Sequence, residues 1–414
     1  MDRRYGRFFS AGMTALLLAT ANATAQVDVQ LRELGMENIR SVETERGSLT
    51  VFEDRVYRNS YTGVGEAISA ALKGQHEGEI CLVVADRNGI PQLKIRIDGE
   101  LTTQYHRGAV SLEQVYRGME LSTCADKEME QLRGSRTTAR SAGRPDLTIY
   151  PTLFLENTSF DKLYRYAVAL APTLEMPLWK GAELTAQVIV PVATNQKGEL
   201  KQVRPGFVTL RQSFYLKRNW RLQATAGQFD NHRLGGQAEA YWRSPKGRWE
   251  LGGRLGATIY SIFDNQGWTV TNKWKLDAAA YGRVYIPQWN TELCGTVNRF
   301  VYGDYGVQGE VTRHFGEYTI GVYAMLADGD LNGGFSFAIP LPGKKYKRWK
   351  GVRVKPADYF AFRYGMVAWG EYVDRQRGET YRTEPDQYRS KGFYQPEYVR
   401  YFLLKELERK QEKK

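Results

Sequence analysis

From Trp268 to Ile286 the side chains alternate with period two. Every even position except Asn272 is apolar or small: Trp268, Val270, Trp274, Leu276, Ala278, Ala280, Gly282, Val284 and Ile286. The odd positions are mostly polar, with Thr269, Thr271, Lys273, Lys275, Asp277, Tyr281, Arg283 and Tyr285. Successive side chains of a strand point to opposite faces, so this stretch has one oily and one wet surface. In a soluble sandwich the oily face would carry bulky Ile, Leu and Phe from two packed sheets. Here it is rich in Ala and Gly, and the wet face carries charges of both signs, as a membrane barrel with a filled polar interior requires. The expected fold is mostly β: a transmembrane antiparallel β-barrel.

The same alternation predicts about twelve strands: 146–157, 164–178, 182–192, 204–216, 220–230, 233–244, 249–261, 268–286, 291–302, 305–315, 318–328 and 333–341. Short turns at 179–181, 217–219, 245–248, 287–290 and 316–317 alternate with longer connections at 193–203 and 262–267. That asymmetry, with an even strand number leaving both ends inside, matches an outer-membrane barrel. A strand over 268–286 would run about 60 Å, twice the bilayer core, so part of it must project or bend. Expected interior residues include Glu183, Gln237, Glu239, Glu250, Arg254, Lys273, Lys275, Asp277, Arg283 and Glu310. With both signs present they are expected to pair across the interior; the alternative is a lined passage. All nine Trp follow residue 178, and Trp220, Trp242, Trp249, Trp268 and Trp289 fall at strand ends or turns, as interfacial girdles do.

The chain begins as a secretory signal peptide does. Arg3, Arg4 and Arg7 precede the apolar run Phe8–Thr20, and Ala23-Thr24-Ala25 supplies a cleavage site, so residues 1–25 are expected to be removed. The net charge of +12 then falls to +10, because three Arg and one Asp leave with the signal. A signal peptide argues against nucleic acid as the partner of so basic a chain, and favours anionic lipid, lipopolysaccharide or polysaccharide. Residues 26–124 read as a small periplasmic α/β domain. It has hairpins at 39–52 and 80–97, the second turning at Asn88-Gly89, and helices at 29–35, 64–73 and 111–119. Thr62-Gly63-Val64-Gly65 lacks the Lys-Ser/Thr of a phosphate loop and reads as helix entry. Residues 125–145, polar and Arg-rich, read as a linker. Cys81 and Cys124 either pair in an oxidising periplasm or remain separate small hydrophobes.

Residues 342–414 read as a basic periplasmic extension. Lys344, Lys345, Lys347, Arg348, Lys350 and Arg353 would form a basic rim, Tyr359–Trp369 one more strand or an aromatic segment, and the end a charged helix. No Cys/His spacing suggests a metal, and no cofactor motif occurs. Of His76, His106, His232 and His314, only His232, beside Asp230 in an outer turn, could serve surface catalysis; a solvated turn residue is the simpler account.

Several blocks resemble the YjbH/GfcD family. They are Asn298-Arg-Phe-Val-Tyr-Gly-Asp-Tyr-Gly-Val-Gln-Gly-Glu-Val-Thr-Arg-His-Phe-Gly316, Ile320-Gly-Val-Tyr-Ala-Met325 and Gly333-Gly-Phe-Ser-Phe-Ala-Ile-Pro-Leu341. Arg233-Leu-Gly-Gly-Gln-Ala-Glu-Ala-Tyr-Trp-Arg-Ser-Pro245 is similar to a hairpin of that family, and Leu31–Ile39 to the segment before its last barrel. The resemblance implies an outer-membrane protein of exopolysaccharide or capsule production, partnered by periplasmic polysaccharide-export proteins and an anionic polysaccharide. It carries over no catalytic residue. Eight strands just enclose side chains and wide channels need about sixteen, so twelve favour a non-enzymatic anchor over a polymer conduit. The alternatives are a small-solute porin and, behind it, a lipid-modifying enzyme.

Overall fold

The computed structural model describes residues 25–75, 77–156, 164–264, 266–366, 375–386 and 394–412. Residues 1–24 of the expected signal peptide, His76 and Trp369 lie outside these residues. The chain forms two compact units, Met1–Ser141 with Tyr394–Lys414, and Ala142–Phe393.

In the first unit a helix over 25–34 (α1) leads into a five-stranded sheet. Its strands are β1 (Glu37–Thr44), β2 (Gly47–Glu53), β3 (Glu79–Ala85), β4 (Pro91–Ile97) and β5 (Glu120–Ser122), in that order. Only β2 and β3 run parallel, because α2 (Ser60–Gly74) carries the chain between them. Two short helices follow β4. In α3 (Gly99–His106) the Asp98 carboxylate accepts the Glu100 N–H, and α4 (Leu112–Gly118) has a Ser111–Gln114 capping box.

Of the stretch expected as a linker, residues 125–141 belong to this unit. Helix α5 (Asp126–Gln131) and Leu132 close the core against Leu49, Val51, Cys81 and Val83. Thr138 bridges Ile39, and Asn38 exchanges hydrogen bonds with Ser141 at 2.7 and 3.0 Å. Met129 and Leu132 supply enough apolar surface to dock an otherwise basic segment. The tail also returns here. Helix α6 (Pro396–Gln411), opening with Pro in its first turn, stacks Phe402 on Tyr61 of α2 at 5.1 Å between ring centroids. Cys81 and Cys124 are not bridged. Cys81 points into the apolar core, where burial pushes its thiol up to about 12.

The second unit is a fifteen-stranded sheet. It opens with β6 (Asp146–Glu156), β7 (Arg165–Pro177), β8 (Ala182–Thr194), β9 (Arg204–Leu216) and β10 (Trp220–Gln228). Next come β11 (Arg233–Arg243), β12 (Trp249–Asp264), β13 (Gly267–Val270), β14 (Lys275–Ile286) and β15 (Thr291–Arg299). It ends with β16 (Tyr305–Phe315), β17 (Tyr318–Ala327), β18 (Asp330–Pro340), β19 (Arg353–Pro356) and β20 (Tyr359–Gly365).

Eleven of the twelve expected strands lie within three residues of their predicted positions. The exception is 268–286, which is two strands. β13 folds back on the end of β12, and β14 pairs with the rest of β12. Asn272, the one break in the apolar even positions, sits in the connection between them. The 60 Å strand therefore does not exist.

Neighbours follow chain order from β6 to β18, all antiparallel, with β19 beyond β6 and β20 beyond β18. β19 pairs β6 in parallel, and β20 pairs β18 antiparallel. Both ends of the sheet thus lie on one stretch, 353–365, interrupted only at Ala357 and Asp358, and the Ala357 N–H still donates to Ile149 O at 2.9 Å. This added strand ends at the long-connection rim, where the sequence led us to expect an even count with both ends at the short-turn rim. The described residues of 342–414 are accordingly four things: a turn, a strand stretch, the segment 375–386 that contacts the large sheet and, from 394, part of the other unit.

Candidate functional site

The two faces of the large sheet differ as strand alternation dictates. Along β7 the exposed apolar residues are Tyr166, Val168, Leu170 and Leu174, and the buried residues Ala167, Ala169, Ala171, Thr173 and Glu175. Exposed aliphatics recur strand after strand, with Leu276, Val297 and Ile320 each more than half exposed. Soluble monomers rarely expose so continuous an apolar surface. Midway along β10–β14 the outward residues Ala224, Ala226, Gly236, Ala238, Ala257 and Ala278 are small, leaving a groove of about 930 Å³ between Leu210, Leu255 and Leu276.

The inner face carries the charges, and register pairs them. Arg243 lies opposite Glu250, and Glu250 opposite Arg283, forming a belt across β11, β12 and β14. Arg243 Nη2 meets Glu250 Oε2 at 3.0 Å, both groups buried. Glu239 lies opposite Arg254 and accepts the Tyr281 hydroxyl at 2.6 Å; Glu183 lies opposite Arg211. Arg363 contacts Glu310 at 3.0 Å and covers the Tyr323 ring at 3.8 Å. Lys275 and Arg233 flank Tyr302, at 5.2 Å from its ring and 2.6 Å from its hydroxyl. Gln237 shares the inward parity of Arg233 and Glu239 on β11. Sequence reasoning did not foresee two more buried members. Arg221 sits between the Tyr215 and Tyr241 rings at 5.6 and 5.7 Å, and His314 Nε2 meets Glu292 Oε2 at 3.1 Å. Lys273 is the correction: it is exposed in the β13–β14 connection, where the alternation has lapsed.

A second unforeseen element occupies this face. Residues 375–386 bind the long-connection rim and then descend from it. Arg377 pairs with Asp328 and Asp330, and the Gly378 N–H donates to Asp304 Oδ2 at 2.7 Å. Arg382 meets Asp230 at 2.6 Å while Tyr381 stacks on Phe229 at 5.3 Å. The Tyr381 hydroxyl donates to Asp277 Oδ1 at 2.8 Å. Deeper still, Glu384 takes Arg211 at 2.7 Å, at the eighth of the thirteen residues of β9. Gly256 makes room: a Cβ there would stand 2.1 Å from the Tyr381 hydroxyl. The segment has no periodicity, and its partners are remote in sequence, from 47 residues away at Asp330 to 173 at Arg211. No local signal reveals it.

The rims hold the aromatics. Trp220 and Trp249 open β10 and β12 with side chains outward, Trp242 pairs across from Trp220, and Trp289 lies in a short turn. Trp268 stands near the opposite rim and donates to Ser261 Oγ at 2.7 Å. Of the expected basic rim, Lys344, Lys345, Lys347 and Lys350 are exposed. Arg348 and Arg353 are not: they converge on buried Asp146 at 2.8 and 3.1 Å, tying 348–353 to the start of β6. His232 meets Glu199 at 3.1 Å. Among the described residues no three metal-binding side chains converge.

The first unit has its own unusual group. Glu53, at the carboxyl end of β2, is buried opposite Glu37 and accepts Asn38 Nδ2 at 2.6 Å. Burial, then the neighbouring Glu37, pushes its carboxyl up to about 8, so it holds a proton at neutral pH.

No family model and no curated protein matches the chain. Among solved structures it is similar to a loop L8 deletion mutant of OmpT, an outer membrane protein of Vibrio cholerae. The TM-score is 0.25 at 10% identity, covering 47% of this chain and 85% of that one.

Proposed function

We propose that Ala142–Phe393 is a closed outer-membrane β-barrel whose interior is filled, and that the protein is a non-enzymatic component of exopolysaccharide or capsule assembly. In this reading the barrel anchors the α/β unit as a partner-binding module for periplasmic export machinery. One observation favours an anchor over a pore: cross-paired charges occupy one face of the sheet, and the chain's own residues 375–386 lie in the space that closure would enclose. A small-solute porin needs that space open.

Closure is supported by the single stretch 353–365 that holds both sheet ends. With β13 set aside and β19–β20 counted once, thirteen strands ring the barrel. An odd ring requires one parallel pair, and β19–β6 supplies it. Strands of mostly 9 to 16 residues match the bilayer, and the short-turn rim faces the periplasm.

Deleting the gene should reduce the amount or length of surface polysaccharide, and complementation should restore it. Unchanged surface polymer would remove the assignment.

A further inference from the structure

Six connections meet at the short-turn rim: 178–181, 217–219, 244–248, 287–290, 316–317 and 341–352. They contain ten Lys and Arg and a single acid, Glu317. The described connections of the opposite rim, 195–203, 229–232, 266–274, 300–304 and 328–329, contain three Lys and four acids. The basic excess therefore belongs to one end of the sheet. Of the ten, Arg348 is spent on Asp146, whereas Lys217, Lys246, Lys344 and Lys350 reach solvent.

The same rim carries five exposed tryptophans: Trp179, Trp220, Trp249, Trp289 and Trp349. Lys350 lies over the Trp349 ring at 5.0 Å, so cation and ring share one site. Trp rings collect where a bilayer passes from hydrocarbon to headgroup, so this belt fixes the height at which the cations stand. Trp220 and Trp249 lead strands whose apolar residues face outward, toward lipid and away from the axis along which a polymer would approach.

We propose that this rim is a docking surface for anionic phospholipid headgroups, with the lysines of 344–350 as its densest part. The proposal rests on the membrane-barrel reading above. Each cation close to an anionic lipid surface strengthens attachment about fivefold, and the attraction fades with salt.

The test uses the full-length protein in detergent micelles, titrated separately with phosphatidylglycerol and phosphatidylcholine, with retained lipids counted by native mass spectrometry. The wild type should retain phosphatidylglycerol at least tenfold over phosphatidylcholine, less so as ammonium acetate is raised. Combining Lys344→Gln, Lys345→Gln, Lys347→Gln and Lys350→Gln should cut that preference at least fivefold. Lys197→Gln, Lys201→Gln and Lys273→Gln at the other rim should leave it intact. Equal retention of both lipids by the wild type overturns the proposal, as does an unaltered preference in the quadruple variant. Binding of a soluble polyuronate without phosphatidylglycerol would overturn it in favour of a polymer. A chain that retains neither lipid and stays monodisperse without detergent would overturn the barrel reading as well. If the quadruple variant fails to fold, the salt dependence of the wild type decides.

Discussion

Glu53 shows how a single position sets a property that its residue type does not. A Glu at the end of a strand is ordinarily ionised at neutral pH, but here it is buried with Glu37 opposite and one short hydrogen bond from Asn38. Its folded value, about 8, lies above that of the unfolded chain. Stability is therefore full below the unfolded value and is lost as pH rises toward 8, at about 1.4 kcal/mol per pH unit in that window. Hydrogen exchange of β2 and β3 peptides, corrected for intrinsic rates, should show protection falling from pH 5 to pH 8. Glu53→Gln should flatten that fall; an equally steep loss in the variant would mean another group titrates. Gly256 makes the complementary point, since its missing side chain is the room that Tyr381 occupies.

At the scale of elements, the stretch 353–365 decides whether the sheet has edges. It pairs β6 with its first half and β18 with its second, and the Asp146 carboxylate holds Arg348 and Arg353 beside the junction. Removing one partner of a buried ion pair leaves the other charge uncompensated, at a cost of about 3–5 kcal/mol. Asp146→Ala should accordingly lower the temperature at which the folded band converts to the unfolded one in a heat-modifiability gel. A conversion temperature equal to wild type would show that the seam does not depend on the clamp. Exposed unpaired strand edges invite association with other chains, which gives the clamp a second reason to exist.

For the molecule as a whole, the interior of the proposed barrel is what separates an anchor from a pore. The wild type should give closed traces in planar bilayers. Replacing 375–386 with a Gly/Ser segment of equal length removes the contacts to Asp230, Asp277, Asp304 and Arg211. Stepwise conductance should then appear; closed traces from the replacement would mean that 375–386 is not what seals the passage. Steady conductance in the unaltered protein would restore the porin reading.

How much of this was legible differs by element. Alternation, short turns and Trp placement located eleven strands of the large sheet and the parity of nearly every inward charge, because in a strand the face of a side chain follows from its number alone. Asn272 already marked the place where 268–286 divides. The docking of 125–141 and of α6 on the first unit was not legible: Met129, Leu132 and Phe402 are short apolar notes in basic sequence, meaningful only beside Leu49 or Tyr61. Nor was the descent of 375–386, whose partners are remote in the chain and whose shape is set by what surrounds it. The sequence by itself determined that the chain makes an amphipathic antiparallel sheet with a charged inner face. Only the tertiary structure decided which segment pairs with both ends of that sheet and which one lies against its charged face, since both depend on contacts between residues that local periodicity cannot bring together.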